Sequence, residues 1–125
     1  MKEKDFQIKF NHWIKEKYFK TACFELKQTK GDSLPFNVLK DHQLYALYNA
    51  KHSNLVYKIP DAGFQNPFDC FSLAGVDAFV VVKYPEFFCL IDIDMWITTR
   101  DVSVGITKSL SSFIAREIAH LIVND

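Results

Sequence analysis

The chain has 125 residues, about half of them apolar (49%), and its fifteen basic and fifteen acidic side chains leave a formal net charge of zero. This length and apolar share suit a single domain around one core, residues 1–125, with no room for a second. The balanced charge argues against a chain coated in basic charge for nucleic acid, and the absence of a basic N-terminal segment before an apolar stretch, or of any bilayer-length apolar run, predicts a soluble, cytoplasmic protein with no membrane partner.

In chain order, Asp5 can cap a helix running to about Phe19, in which Phe6, Phe10, Trp13 and Ile14 recur at helical spacing as a core stripe. Its lysines Lys9, Lys15, Lys17 and Lys20 belong to a lopsided charge distribution: residues 1–58 carry eleven lysines against six acids, and residues 59–125 four basic residues against nine acids. Singly these lysines read as solvated surface; together they can neutralise phosphates. Thr21 to Thr29 then reads as a strand. Side chains alternate across a strand, so Ala22, Phe24 and Leu26 share an apolar face while Cys23, Glu25 and Lys27 share the other. A carboxylate and an ammonium on one rim are what metal-dependent phosphodiester hydrolysis uses, although a Glu-x-Lys pair is in most strands a surface ion pair.

Thr29 to Ser33 is a polar loop, and Asn37 can cap a helix to about Lys51 with Leu44, Leu47 and Tyr48 inward. Gln43 falls beside that inward stripe, as an amide bonded to backbone or as a side chain lining a site. Leu55–Ile59 reads as a strand, Pro60-Asp61-Ala62-Gly63 as a turn, and Phe68–Leu73 as the next strand. Val76–Tyr84 is a nearly continuous apolar run of the kind buried on both faces. Phe87–Trp96 makes a last strand, on which Asp92 and Asp94 share a face that can bind a cation but reads better as the wet side of an edge strand. Thr107–Val123 patterns as an amphipathic packing helix with Leu110, Phe113, Ile114, Ile118 and Leu121 on one side. Lys58 and Lys83 stand on strands and can face a phosphate or solvent. The three cysteines, Cys23, Cys70 and Cys89, lie in apolar runs as buried free thiols, and the four scattered histidines form no zinc spacing. The order of elements predicts an α/β domain with a mixed sheet flanked by helices.

Phe24-Glu25-Leu26-Lys27-Gln28-Thr29, then Ser33-Leu34-Pro35-Phe36, then His42-Gln43, resemble the strand, loop and helix of Holliday-junction resolvases in the PD-(D/E)XK nuclease superfamily, of phage or archaeal type. Pro67-Phe68-Asp69 resembles that superfamily's second acidic motif, and the similarity spans most of residues 3 to 96. The motif order is permuted, because the Pro-x-Asp segment follows Glu-x-Lys rather than preceding it, so Asp69 would return from a later strand to sit beside Glu25. The resemblance implies a restriction-endonuclease-like fold and a Mg²⁺-dependent endonuclease, with Mn²⁺ as substitute, acting as a homodimer on branched DNA in the cytoplasm, of an infected host if phage-encoded. It implies Glu25 and Asp69 as metal ligands, Lys27 beside the attacking water or the transition state, and Gln43 orienting water or a ligand carboxylate. Lys30, Ser33 and Lys58 would contact the nucleic acid. The alternative is a module that keeps the nuclease fold and binds nucleic acid or a protein without turnover; a purely structural α/β protein would make the matches coincidental.

Overall fold

The computed structural model of the chain describes residues 2–58 and 70–124. In order, its elements are α1 (Glu3–Lys17), β1 (Ala22–Gln28), β2 (Ser33–Pro35), a 3-10 turn (Phe36–Val38), α2 (Asp41–His52), β3 (Leu55–Lys58), β4 (Cys70–Leu73), β5 (Asp77–Tyr84), β6 (Phe87–Asp92), α3 (Ile93–Val102), β7 (Ser109–Ser111), α4 (Ser112–Ile118) and β8 (Leu121–Asn124). The main sheet has the order β1-β5-β6-β8, with β1 parallel to β5 and the other pairs antiparallel. Two antiparallel ribbons, β2 with β7 and β3 with β4, complete a mixed α/β arrangement.

Alternation along the central strands divides the core into two layers. Ala78, Val80, Val82 and Tyr84 of β5, with Cys89 and Ile91 of β6, pack against α2, α3 and α4 through Leu44, Leu47, Trp96 and Ala115. Phe79 and Val81, with Phe88 and Leu90, pack against Phe6 and Phe10 of α1. The α1 layer is largely aromatic: Phe10 meets Phe24 and Phe88 edge-on with ring centroids 5.1 and 5.9 Å apart. The sequence-predicted stripe of α1 and the doubly buried run of β5 are both found here.

Several boundaries move, each for a physical reason. Helix α1 has Lys2 rather than Asp5 at its N-cap, with Asp5 in the first turn, and it stops at Lys17, leaving Phe19 exposed. Helix α2 starts at Asp41, because Phe36–Val38 tightens into a 3-10 turn that buries Phe36; Tyr48 faces outward, its ring tilted against that of His52. The strand expected over Phe87–Trp96 ends at Asp92, whose carboxylate accepts the Asp94 N–H at 2.9 Å and caps α3. Asp92 and Asp94 therefore do not share a wet strand face. The single helix expected over 107–123 is instead β7, α4 and β8: Leu110 is buried on β7, Phe113 and Ile114 are exposed, and the β-branched pair Ile122-Val123 extends the sheet. Ser111 caps the short α4 by accepting the Ile114 N–H. Of the cysteines, all free, Cys89 alone is buried, Cys23 is half-buried and Cys70 exposed. Among the described residues no helix is long and apolar enough to cross a membrane.

Leu90→Ala, in the layer beneath α1, should cost about 2–5 kcal/mol in chemical denaturation, whereas Phe113→Ser on α4 should stay within about 0.5 kcal/mol. A large cost at Phe113 would restore the packing helix expected from the pattern.

Candidate functional site

Strand β1 forms one edge of the main sheet among the described residues, paired with β5 so that Glu25 lies opposite Val80 and Lys27 opposite Val82. Ala22, Phe24 and Leu26 pack beneath α1, and Cys23 packs into the layer beneath α2. By alternation Glu25 and Lys27 point away from the α1 layer. Lys27 Nζ and Glu25 Oε1 are 3.4 Å apart, and both side chains are partly sheltered, at 18% and 31% exposure respectively. At that distance and exposure the pair adds little to stability. What it does is hold an ammonium beside a carboxylate.

A pocket of about 250 Å³ opens next to the pair, lined by Cys23 and Glu25 from β1, Gln43 and Leu47 from α2, Leu55 from β3, and Phe71 and Leu73 from β4. Glu25 and Gln43, separated in sequence by the β2 loop and the 3-10 turn, thus face one cavity. Gln43 Oε1 accepts the Lys40 N–H at 3.0 Å, satisfying a backbone donor at the start of α2. That bond fixes the amide and leaves the pocket its N–H₂ donors. Burial raises the pKa of the Cys23 thiol, keeping it protonated and a poor nucleophile.

Lys30 lines an adjoining cleft of about 490 Å³ at the β1 edge together with Lys27 and Lys2, across from Glu3. Ser33 opens β2, where its carbonyl accepts the Thr29 hydroxyl at 2.9 Å, so Lys30 and Ser33 belong to one closed turn beside the cleft. Lys58 is on β3, opposite Cys70. Asp69, like the Pro60–Gly63 turn, lies outside the described residues; the next residue, Cys70, begins β4, whose Phe71 and Leu73 line the Glu25 pocket. Lys83 is buried, its Nζ donating to the carbonyls of Tyr84 and Pro85, which turns it away from the outward role allowed by the sequence. Burial and the neighbouring Lys9 lower its pKa.

Pattern reading missed one polar cluster. Lys51 Nζ donates to Asp92 Oδ1 and Asp94 Oδ2, both at 2.7 Å, and His52 Nε2 lies 2.8 Å from Asp94. It ties the end of α2 to the start of α3. The signal for it is a basic pair closing one helix and an Asp-x-Asp opening another, legible only once Asp92 is read as a cap. The rival cation site is therefore occupied by the Lys51 ammonium, with the His52 ring beside Asp94. Burial disfavours the Lys51 ammonium, but hydrogen bonds and charge from Asp92 and Asp94 outweigh it and raise the pKa; burial likewise disfavours the Asp94 carboxylate, but Lys51 and His52 outweigh it and lower the pKa. Among the described residues no three His, Cys, Asp or Glu side chains cluster as a metal cage.

No family model, curated protein or solved structure matches this chain.

The lowered Asp94 pKa means that its contribution to stability is present above the ordinary carboxylate range and is lost as pH falls through the folded value; the raised Lys51 pKa contributes below the ordinary lysine range and is lost at higher pH. Thermal melts between about pH 5 and pH 2 should therefore fall more steeply for the wild type than for Asp94→Asn. Parallel curves would remove the cluster from the acid response.

Proposed function

We propose that the chain is a metal-dependent endonuclease of restriction-endonuclease-like fold that cuts branched DNA as a homodimer. The observation that carries this reading is the Glu25–Lys27 pair, 3.4 Å apart on the face of β1 beside a pocket that Gln43 also lines. Two of the four side chains to which the resemblance assigns chemistry, Glu25 from a strand and Gln43 from a helix, line that pocket, and Lys27 reaches it through its contact with Glu25.

The donors fit a hard divalent cation in kind. Glu25 offers carboxylate oxygens to the pocket, and Mg²⁺ is commonly held by one or two carboxylates with waters and substrate phosphate rather than by a full protein cage. Glu25 and Asp69 would hold it, and Asp69 stands in sequence two positions before the pocket-lining Phe71. When bound, Mg²⁺ or Mn²⁺ polarises the scissile phosphate and acidifies a water at neutral pH. Lys27, already beside the carboxylate, offsets charge developing on the phosphate and positions the attacking water. Gln43 is anchored through its oxygen at Lys40 and so offers N–H donors to that water or to a ligand carboxylate. Lys30, in the adjoining cleft, and Ser33 and Lys58 would take flanking phosphates, which set register rather than sequence preference.

One observation favours the second reading, a binding module without turnover: the Gln43 oxygen is engaged in starting α2, a role that needs no chemistry. The two readings separate experimentally. On a synthetic four-way junction, nicking should require Mg²⁺ or Mn²⁺, stop with EDTA, collapse in Glu25→Gln and Asp69→Asn, and drop on the order of 10²–10³-fold in Lys27→Ala, with junction binding retained in each. A wild-type protein that binds junction, flap and duplex DNA but yields no product with Mn²⁺ would favour the module.

A further inference from the structure

A second cleft, of about 770 Å³, opens between the start of α2 and the α3–β7 connection. Its surface is divided by chemistry. Pro35, Phe36 and Leu39 give it an apolar side, and Lys40, Arg100 and Lys108 bring three cations to it from three different segments of the chain. Phe36 and Leu39 are themselves core residues, so the apolar side is rigid, whereas Lys40 and Lys108 are exposed and can close on a ligand. Arg100 donates from Nε to Asp101 Oδ1 at 3.1 Å, with Nη2 at the same distance in an ion pair, which orients the guanidinium and leaves it further N–H donors. The twelve-residue α2 starts at Asp41, also in the lining, so the first-turn backbone N–H groups and the positive end of the helix dipole add to the same field.

We propose that this cleft binds a nucleotide, with its phosphate between Lys40, Arg100 and Lys108 and its ring against Pro35, Phe36 and Leu39. Its volume lies within the range of about 300–1,000 Å³ usual for small-molecule sites. An inorganic anion would leave the apolar side wet, and an apolar ligand would make no use of the Lys40 and Lys108 ammonium groups. A ring carrying a phosphate ester satisfies both. The Asp41 carboxylate can accept from a base amino group or a sugar hydroxyl, and it opposes crowding by further phosphates. The nucleotide can be free or one unit of a strand. The proposal does not rest on the nuclease reading of the Glu25 pocket, because it uses none of that pocket's charged groups.

Isothermal titration of the full chain with dAMP, dTMP, a ten-residue oligo-dT and inorganic phosphate tests it. At matched ionic strength the mononucleotides should bind at least about tenfold more tightly than inorganic phosphate, and Lys108→Glu and Lys40→Glu should each weaken that binding by about tenfold or more with unchanged melting temperature. Glu25→Gln should leave it unaltered, which separates failure here from failure of the nuclease reading. Binding of oligo-dT but of neither mononucleotide, with the same sensitivity to the two charge reversals, also supports the site and assigns its source to a strand. Equal affinity for inorganic phosphate, binding that survives both reversals, or no binding of any probe would overturn it.

Discussion

Strand β5 has no side facing water: from Ala78 to Tyr84 every residue is at most 3% exposed. A strand of this kind requires an apolar cover on each face and a hydrogen-bonding neighbour on each edge. The aromatic face of α1 covers one side and α2, α3 and α4 the other, while β1 and β6 take the two edges. The position of the candidate site follows. Because Phe24 and Leu26 of β1 go beneath α1, Glu25 and Lys27 alternate away from that layer at the outer edge of the sheet, Glu25 lining the pocket with Gln43 and Lys27 the cleft with Lys2 and Lys30. The helix that buries Leu44 and Leu47 also carries Gln43 into the Glu25 pocket.

Lys83 illustrates what this constraint demands of an ionisable group. It falls on the α1 face of β5 by alternation, and its ammonium reaches the turn carbonyls of Tyr84 and Pro85. Burial penalises its charged form, and charge-assisted bonds to carbonyl oxygens recover part of that penalty. The opposite layer keeps its thiol and phenol neutral: burial pushes Cys89 up to about 12 and raises Tyr84, whose hydroxyl donates to the Leu110 carbonyl at 2.8 Å. Among the described residues, Glu25 and Lys27 stand instead at the sheet edge, and Lys51, His52, Asp92 and Asp94 where α2 ends and α3 begins.

Much of this was legible in the sequence. The 3.6-residue stripe of α1, the period-two alternation of β1 and the unbroken apolar run of β5 are strong local signals, and each formed as its period dictates. Glu25 and Lys27 were legible for the same reason, since two residues of one strand parity share a face whatever the rest of the chain does. The C-terminal third was not. Residues Ile93–Val102 and Leu110–Val123 carry apolar side chains at spacings that fit either period, and tertiary context decides between them: Asp92 turns the chain into α3 by capping it, and the free edge of β6 recruits Leu121–Asn124 as a strand. The Lys51–Asp92–Asp94–His52 cluster depends on that turn, so no reading of Asp92 as strand can reach it. The second cleft joins the start of α2 to the α3–β7 connection, a proximity created by the pairing of β2 with β7 and invisible to any local pattern.

The nuclease proposal requires a divalent cation to bind at Glu25 rather than at the Asp92–Asp94 pair, whose carboxylates already accept from Lys51. Paramagnetic broadening of backbone amide signals during a Mn²⁺ titration of the metal-free protein tests it most directly. Broadening centred on Glu25, Lys27 and Gln43, and abolished by Glu25→Gln, is the predicted result. Broadening centred on Lys51, Asp92 and Asp94, or unchanged in Glu25→Gln, would contradict it.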